Sequence, residues 1–201
     1  MKKEVEIDVD GVLANLDGSY APYIMDIIPD YTEEKYITGW DMPLIQKNYP
    51  EAFKRIQNLW VDPIFIGNLE MYPNVDVALS KLYSEISDFA DIVIHTHIRG
   101  SEDVYKARYS WIQKLRERSG IDCKIEISTD DTKKSRKNSF IVIEDNVNNL
   151  KRSSAENKVL IRCSHNRSFN LNDIGDYRRG FIFESFYDSV PTMINVVKGV
   201  Y

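Results

Sequence analysis

The stretch Ile7-Asp8-Val9-Asp10-Gly11-Val12-Leu13-Ala14 sets two carboxylates and a glycine at the end of an apolar alternation. Val5, Ile7 and Val9 recur at every second position, so Glu4 to Val9 reads as a short strand. At that period Asp8 and Asp10 start on one face and can point into one small volume. Two like charges that close are unfavourable unless a cation or a proton lies between them. Gly11 lets the chain turn away sharply after the second acid. Asp and Gly are also ordinary turn residues, so the pattern alone fits a strand end with two solvated aspartates. A calcium loop needs Gly at its sixth place and Glu at its twelfth. Counted from Asp8, those places hold Leu13 and Ser19, which excludes it.

Working outward, 201 residues make one domain, or one core with a modest insertion. An apolar content of 43%, with 12 Tyr and 8 Phe, suffices for a sizeable core. A net charge of -5 argues against a nucleic-acid polymer as main partner, because such binding rests on a basic face. A mononucleotide needs only a local positive cluster and stays open. Cys123 and Cys163 show no metal-ligand spacing and read as free thiols of a reducing compartment. Glu4, Glu6 and Asp8 interrupt any signal-peptide run, and no apolar window is long enough for a membrane span. The expectation is a cytoplasmic protein.

Residues from about Asp17 to Leu69 form a mixed region rich in aromatics and prolines, with helical patterning from Pro50 to Leu59. Beyond Pro73 the pattern is regular. Asn74 is placed to cap a helix running to about Ser84, with Val75, Leu79 and Leu82 on one face. Ile92 to Ile94 reads as a strand ending in His95-Thr96-His97. Glu102 to Arg118 reads as a long helix with Tyr105, Tyr109, Ile112 and Leu115 as its stripe. Further short strands are expected at Ile125 to Ile127, Phe140 to Ile143, Val159 to Ile161 and Phe181 to Phe183, before a C-terminal helix. Continuous apolar strands alternating with helices imply a parallel sheet covered on both faces. Ligands then bind beyond the strands' carboxyl ends. Three strand ends carry groups suited to phosphate chemistry: Asp8 with Asp10, Thr96, and Glu144 with Asp145.

With those strand ends in place, the chain resembles the 5′(3′)-deoxyribonucleotidases of the haloacid dehalogenase superfamily. IDVDGVLANL is similar to the family's first motif, and IVIHTH to its second. KSRKNSFIVIEDN looks like the third and fourth together. LWVDPIFIGNLEMYPNVDVAL resembles the stretch that re-enters the core, VYKARYSWIQK the helix after motif two, and LIRCSHN the late strand with its Cys-x-His-Asn ending. The resemblance implies an α/β fold: a Rossmann-like parallel sheet with helices on both faces, built from residues 1–16 and 70–201. It also implies a small, mainly helical cap, residues 17–69, inserted after the first strand. Motif four departs from the usual Asp-Asp, reading Glu144-Asp145.

For chemistry, the resemblance implies Asp8 as nucleophile, Asp10 as acid/base, and Thr96 and Lys134 as phosphate-binding groups, with Lys133 the alternative lysine. Mg2+ would take a side-chain oxygen of Asp8, the backbone carbonyl of Asp10 and the carboxylate of Asp145, with Glu144 holding a coordinated water or orienting Lys134. Asp10 would have to start protonated, although a free Asp has a pKa of about 3.9. Leu16, Trp40, Trp60, His97 and Arg99 join Thr96 and Lys134 around the substrate. The activity implied is hydrolysis of deoxyribonucleoside monophosphates. Another small phosphate ester such as a sugar phosphate, or nucleotide binding without catalysis, stays open. The partners implied are a small nucleotide, no nucleic-acid polymer and no membrane, with a homodimer left open. His95 and His97 could suggest a zinc pair, but no third ligand lies nearby in sequence.

Overall fold

The computed structural model describes residues 2–129 and 139–200. Lys133 and Lys134 lie outside the described residues. Among the described residues six strands form one parallel sheet: β1 (Lys3–Ile7), β2 (Ala90–His97), β3 (Lys124–Ser128), β4 (Ile141–Glu144), β5 (Asn157–Ile161) and β6 (Arg179–Phe183), in the order β3-β2-β1-β4-β5-β6. Strand order reverses beside β1, which makes the mouth between β1 and β4 the crevice where ligands bind in such sheets.

The register explains why this sheet holds. Ile7 pairs with Ile94 on one side and Ile143 on the other, Ile143 with Val159, and Val159 with Phe181. Ile7, Ile94, Ile143 and Val159 are buried in the main core, with Phe181 partly buried against it, and each fully buried aliphatic side chain contributes about 1.5–3 kcal/mol. The helices α6 (Val75–Ile86), α7 (Glu102–Ser119) and α9 (Phe186–Lys198) supply much of this core, α6 packing on both α7 and α9. On the opposite face α8 (Val147–Arg152) joins Val142, Leu160 and Ile174 in a smaller cluster.

Two details depart from the sequence reading. The strands are not continuous apolar runs. Glu6 of β1 and His95 of β2 are buried, with Glu6 Oε1 2.6 Å from His95 Nδ1. His95 Nε2 lies 2.7 Å from Ser128 Oγ, and Ser139 Oγ donates to Glu6 Oε2. His95 is thereby committed within the sheet, which removes the zinc pair. The stripe of α7 is also different, since Tyr105 and Tyr109 are exposed. The buried face is Val104, Arg108, Trp111, Ile112, Leu115 and Ser119. A buried arginine breaks the apolar pattern, and the tyrosines one position on imitate it.

Between β1 and α6 the chain forms a short 3-10 turn (Gly18–Tyr20) and five short helices: α1 (Ala21–Ile24), α2 (Glu33–Tyr36), α3 (Pro43–Asn48), α4 (Pro50–Leu59) and α5 (Pro63–Gly67). Local chemistry explains their starts. Pro occupies the first turn of α1, α3, α4 and α5, where its missing N–H costs nothing. Thr32 and Asp62 cap α2 and α5 by accepting from backbone N–H groups. The exit and return of this insertion run side by side: Asn15 N donates to Glu70 O at 2.9 Å and Tyr72 N to Leu13 O at 3.0 Å. Trp111 Nε1, from α7, donates to Leu69 O at 2.8 Å and fixes the return point. Among the described residues, no helix is long and apolar enough to cross a membrane.

Candidate active site

The first acid follows β1 directly. Asp8 N donates to Ile143 O at 3.0 Å, which extends the β1–β4 pairing by one step and brings the two strand ends together. Asp8, Glu144 and Asp145 consequently each offer an oxygen, all within 4.8 Å of one another, and all three residues are buried. Three buried carboxylates this close need a counter-charge, and an all-oxygen donor set suits a hard divalent cation.

Gly11 makes the approach achievable. Its φ is +74°, and a Cβ there would lie 1.9 Å from Asp145 Oδ2. No other residue fits that position. The Gly11 carbonyl accepts from the Cys163 thiol at 3.0 Å, and burial together with the charge of Asp145 holds this thiol well above its usual pKa. Cys163 is therefore a hydrogen-bond donor that props up the turn rather than a reactive group.

Asp10 does not join the acidic trio. Both its oxygens lie 2.9 Å from Nη2 of Arg108, which reaches across from α7. The cation that relieves the pair of acids from the opening motif is thus, at Asp10, a guanidinium. Arg108 is 1% exposed, and its Nε and Nη1 have no hydrogen-bond partner among the described residues. Asp8, Asp10 and Arg108 all line a cavity of about 300 Å³.

Of the residues singled out in the sequence, Leu16, Trp40, Trp60, His97 and Arg99 also line this cavity. Trp60 Nε1 donates to the Tyr20 hydroxyl at 2.7 Å, and the Arg99 guanidinium lies 5.6 Å from the Trp60 ring centre. Burial, then the charge of Asp17, holds the Tyr20 phenol well above its usual pKa. Thr96 is fully buried at the end of β2 and is not part of the cavity lining; its hydroxyl is 3.5 Å from the His97 carbonyl. Glu144 is held from outside the trio: Asn149 Nδ2 donates to Oε1 at 2.9 Å and Asn146 N to Oε2 at 3.2 Å.

Two contributors escaped the sequence reading. Arg108 was hidden in a helix read along the wrong face, although Val104, Arg108, Trp111 and Leu115 are also at helical spacing. His165 lay in the Cys-x-His-Asn ending with no role attached. Its ring sits between Asp17 and Asp145, at 3.1 Å and 3.2 Å. Burial disfavours its charge, but Asp145 and then Asp17 outweigh it and push the imidazole up to about 10.

With that geometry in view, comparisons with known proteins converge. Residues 2–178 match the family model for the "5' nucleotidase, deoxy (Pyrimidine), cytosolic type C protein". The chain belongs to this family. A 5'(3')-deoxyribonucleotidase of Clostridium acetobutylicum is 30% identical over 175 residues, covering 84% of this chain and 87% of the relative. The fold is shared more widely. An HAD-superfamily hydrolase of subfamily IA from Geobacter sulfurreducens superposes with a TM-score of 0.55 at 12% identity, over 96% of each chain. The L-2-haloacid dehalogenase of Xanthobacter autotrophicus does so at 0.51 and 14% identity, over 99% of each. The family membership thus rests on sequence, and the sheet with its flanking helices is that of the HAD-like hydrolases.

Proposed function

We propose that this chain is a magnesium-dependent phosphatase that hydrolyses deoxyribonucleoside monophosphates to nucleoside and phosphate through a phosphorylated Asp8. One observation carries the reading: two acids two residues apart have separate partners. Asp8 stands with Glu144 and Asp145, while Asp10 faces Arg108, and both open onto one cavity. A nucleophile and a proton carrier need that separation.

The buried acidic trio fits a divalent cation held by Asp8, the Asp10 carbonyl and Asp145. Glu144, with both oxygens engaged by Asn149 and the Asn146 backbone, stays outside the coordination. When bound, the cation supplies the positive charge that lets a phosphate dianion approach a carboxylate. Asp8 attacks phosphorus as the bond to the nucleoside oxygen breaks. Asp10 gives that oxygen a proton, then takes one from the water that cleaves the aspartyl-phosphate. Its pair with Arg108 has to loosen for this, and Nε and Nη1 of Arg108 are then available to the phosphate, with Lys134; Thr96, buried away from the cavity lining, takes no part. Residues 17–69 act as a cap over a core of residues 1–16 and 70–201, a division supported by the side-by-side exit and return at Asn15 and Glu70. Leu16, Trp40, Trp60, His97 and Arg99 surround the nucleoside, and the word cytosolic in the family description supports a cytoplasmic location.

Initial rates of phosphate release test this across nucleoside monophosphates, deoxynucleoside monophosphates and sugar phosphates, with magnesium and with a chelator. The expected result is fastest turnover of deoxynucleotides and none with the chelator. Faster turnover of a sugar phosphate would overturn the substrate, and full activity in chelator would overturn the metal.

A further inference from the structure

His165 directly joins two parts of the molecule, the acidic trio and the inserted segment. It is buried in a 3-10 turn (Ser164–Asn166) that follows β5. Its Nε2 lies 3.2 Å from Asp145 Oδ2, in the acidic trio, and its Nδ1 lies 3.1 Å from Asp17 Oδ2, where the inserted segment begins. The edge-on ring of Trp40, from the same segment, sits 5.0 Å from the imidazole at 80°. Asp17 is itself tied into the segment, since its carbonyl accepts from the Tyr31 hydroxyl at 2.9 Å. The neighbouring Asn166 donates from Nδ2 to the Asp145 carbonyl at 2.8 Å. Consecutive residues thus hold Asp145 by both its main chain and its side chain. Asp17, Trp40 and His165 all line the cavity, so a molecule lying against Trp40 presses on the ring that aims Asp145.

We propose that His165 is a positioning residue that couples the 17–69 segment to the metal-binding acid, so that nucleoside binding and divalent-cation binding tighten one another. This rests on the reading of Asp145 as a metal ligand and of residues 17–69 as the nucleoside side of the site. Groups that orient a metal ligand from outside typically account for 10–100-fold in affinity when removed. Coupling between two sites is reciprocal and commonly about 5–150-fold.

A deoxynucleoside without phosphate is the informative probe, because it can occupy the cavity without touching the cation. Magnesium affinity is measured by titration calorimetry with and without saturating deoxynucleoside. In the unaltered protein the nucleoside should tighten magnesium about fivefold or more. His165→Gln should bring that ratio to near one while weakening magnesium alone about tenfold or more. Asp17→Asn, which changes no proposed metal ligand, should shrink the same ratio, and adding it to His165→Gln should change nothing further. A ratio of one in the unaltered protein, or an unchanged ratio in both variants, overturns the coupling. If His165→Gln fails to fold, Asp17→Asn and Trp40→Phe decide by the same ratio. Asp145→Ala separates the two readings: unweakened magnesium binding there defeats the metal assignment itself, whereas weakened binding there, with a ratio of one in the unaltered protein, defeats only this inference.

Discussion

Asp8 and Gly11 are the residues on which the proposed chemistry turns. Asp8→Asn removes the attacking oxygen's charge and should lower turnover at least ~10³-fold, equivalent to roughly 4 kcal/mol of barrier. Turnover like that of the unaltered protein in a contamination-free preparation would sink the phosphorylated-Asp8 route. Gly11→Ala is an independent probe of geometry. Its added methyl meets Asp145 Oδ2 at 1.9 Å in a left-handed backbone conformation, so either the turn or the acid must move. We expect a lower melting temperature and a loss of magnesium affinity together. A variant with normal magnesium binding would show that Asp145 is free to shift without consequence. The acidic motif that makes both residues visible was legible in sequence because strand period and turn chemistry are local. Arg108 was not, because its partner is 98 residues away and no local rule links a helix arginine to a strand-end aspartate.

Among the elements, α7 was legible in extent and misread in orientation. Its ends agree closely with the expected span, Glu102–Ser119 against Glu102 to Arg118. Helical start and stop signals are short-range: acids in the first turn, Arg116 and Arg118 in the last, and Gly120 in the left-handed conformation beyond. Which face turns inward depends on what the rest of the chain offers. Asp10 and the Leu69 carbonyl offer polar partners, so Arg108 and Trp111 go inside and Tyr105 and Tyr109 stay out. Trp111→Ala should cost about 3–5 kcal/mol in urea denaturation, whereas Tyr105→Ala and Tyr109→Ala should each cost under about 1 kcal/mol as surface changes. Equal losses at Trp111 and Tyr109 would contradict the observed face. The short helices of residues 17–69 fared differently. α4 starts and ends where Pro50 and Leu59 suggested, since proline at its first position is a local instruction, but the path joining the five helices had no periodic signal.

For the molecule as a whole, two properties depend on many parts at once. If the insertion reads the nucleoside, Trp60→Ala should slow nucleotide turnover about tenfold, in line with ~1–3 kcal/mol for stacking on a base. A small generic ester such as p-nitrophenyl phosphate should be much less affected. Equal losses on both, with the fold intact, would assign Trp60 to packing against Tyr20. Stability should also carry a signature of His165. Its pKa is pushed up to about 10 in the folded chain, against an ordinary value near 6.5. The folded state therefore holds a proton that the unfolded state releases between those values. The stabilisation is complete below about 6.5 and is lost as pH rises toward 10. In chelator, melting temperature should fall over that window, and His165→Gln should lack that part of the slope. A slope identical in both would mean Asp17 and Asp145 do not share the imidazole's charge.

By itself the sequence determined the six strands, their parallel arrangement, the helices α4, α6, α7 and α9, and the acids at two strand ends. All of these follow from periodicity, capping and turn chemistry within a few residues of each other. Only the tertiary structure decided which charges neutralise which. Arg108 serves Asp10, His165 spans Asp17 and Asp145, and Asn149 holds Glu144 from outside the trio. It also placed a buried Glu6–His95 pair inside a sheet expected to be apolar. The physical reason is one of range. A side chain's backbone preference is set by its neighbours in the chain, but a buried charge is stable only beside a partner, and in this protein the partners come from strands and helices far apart in sequence.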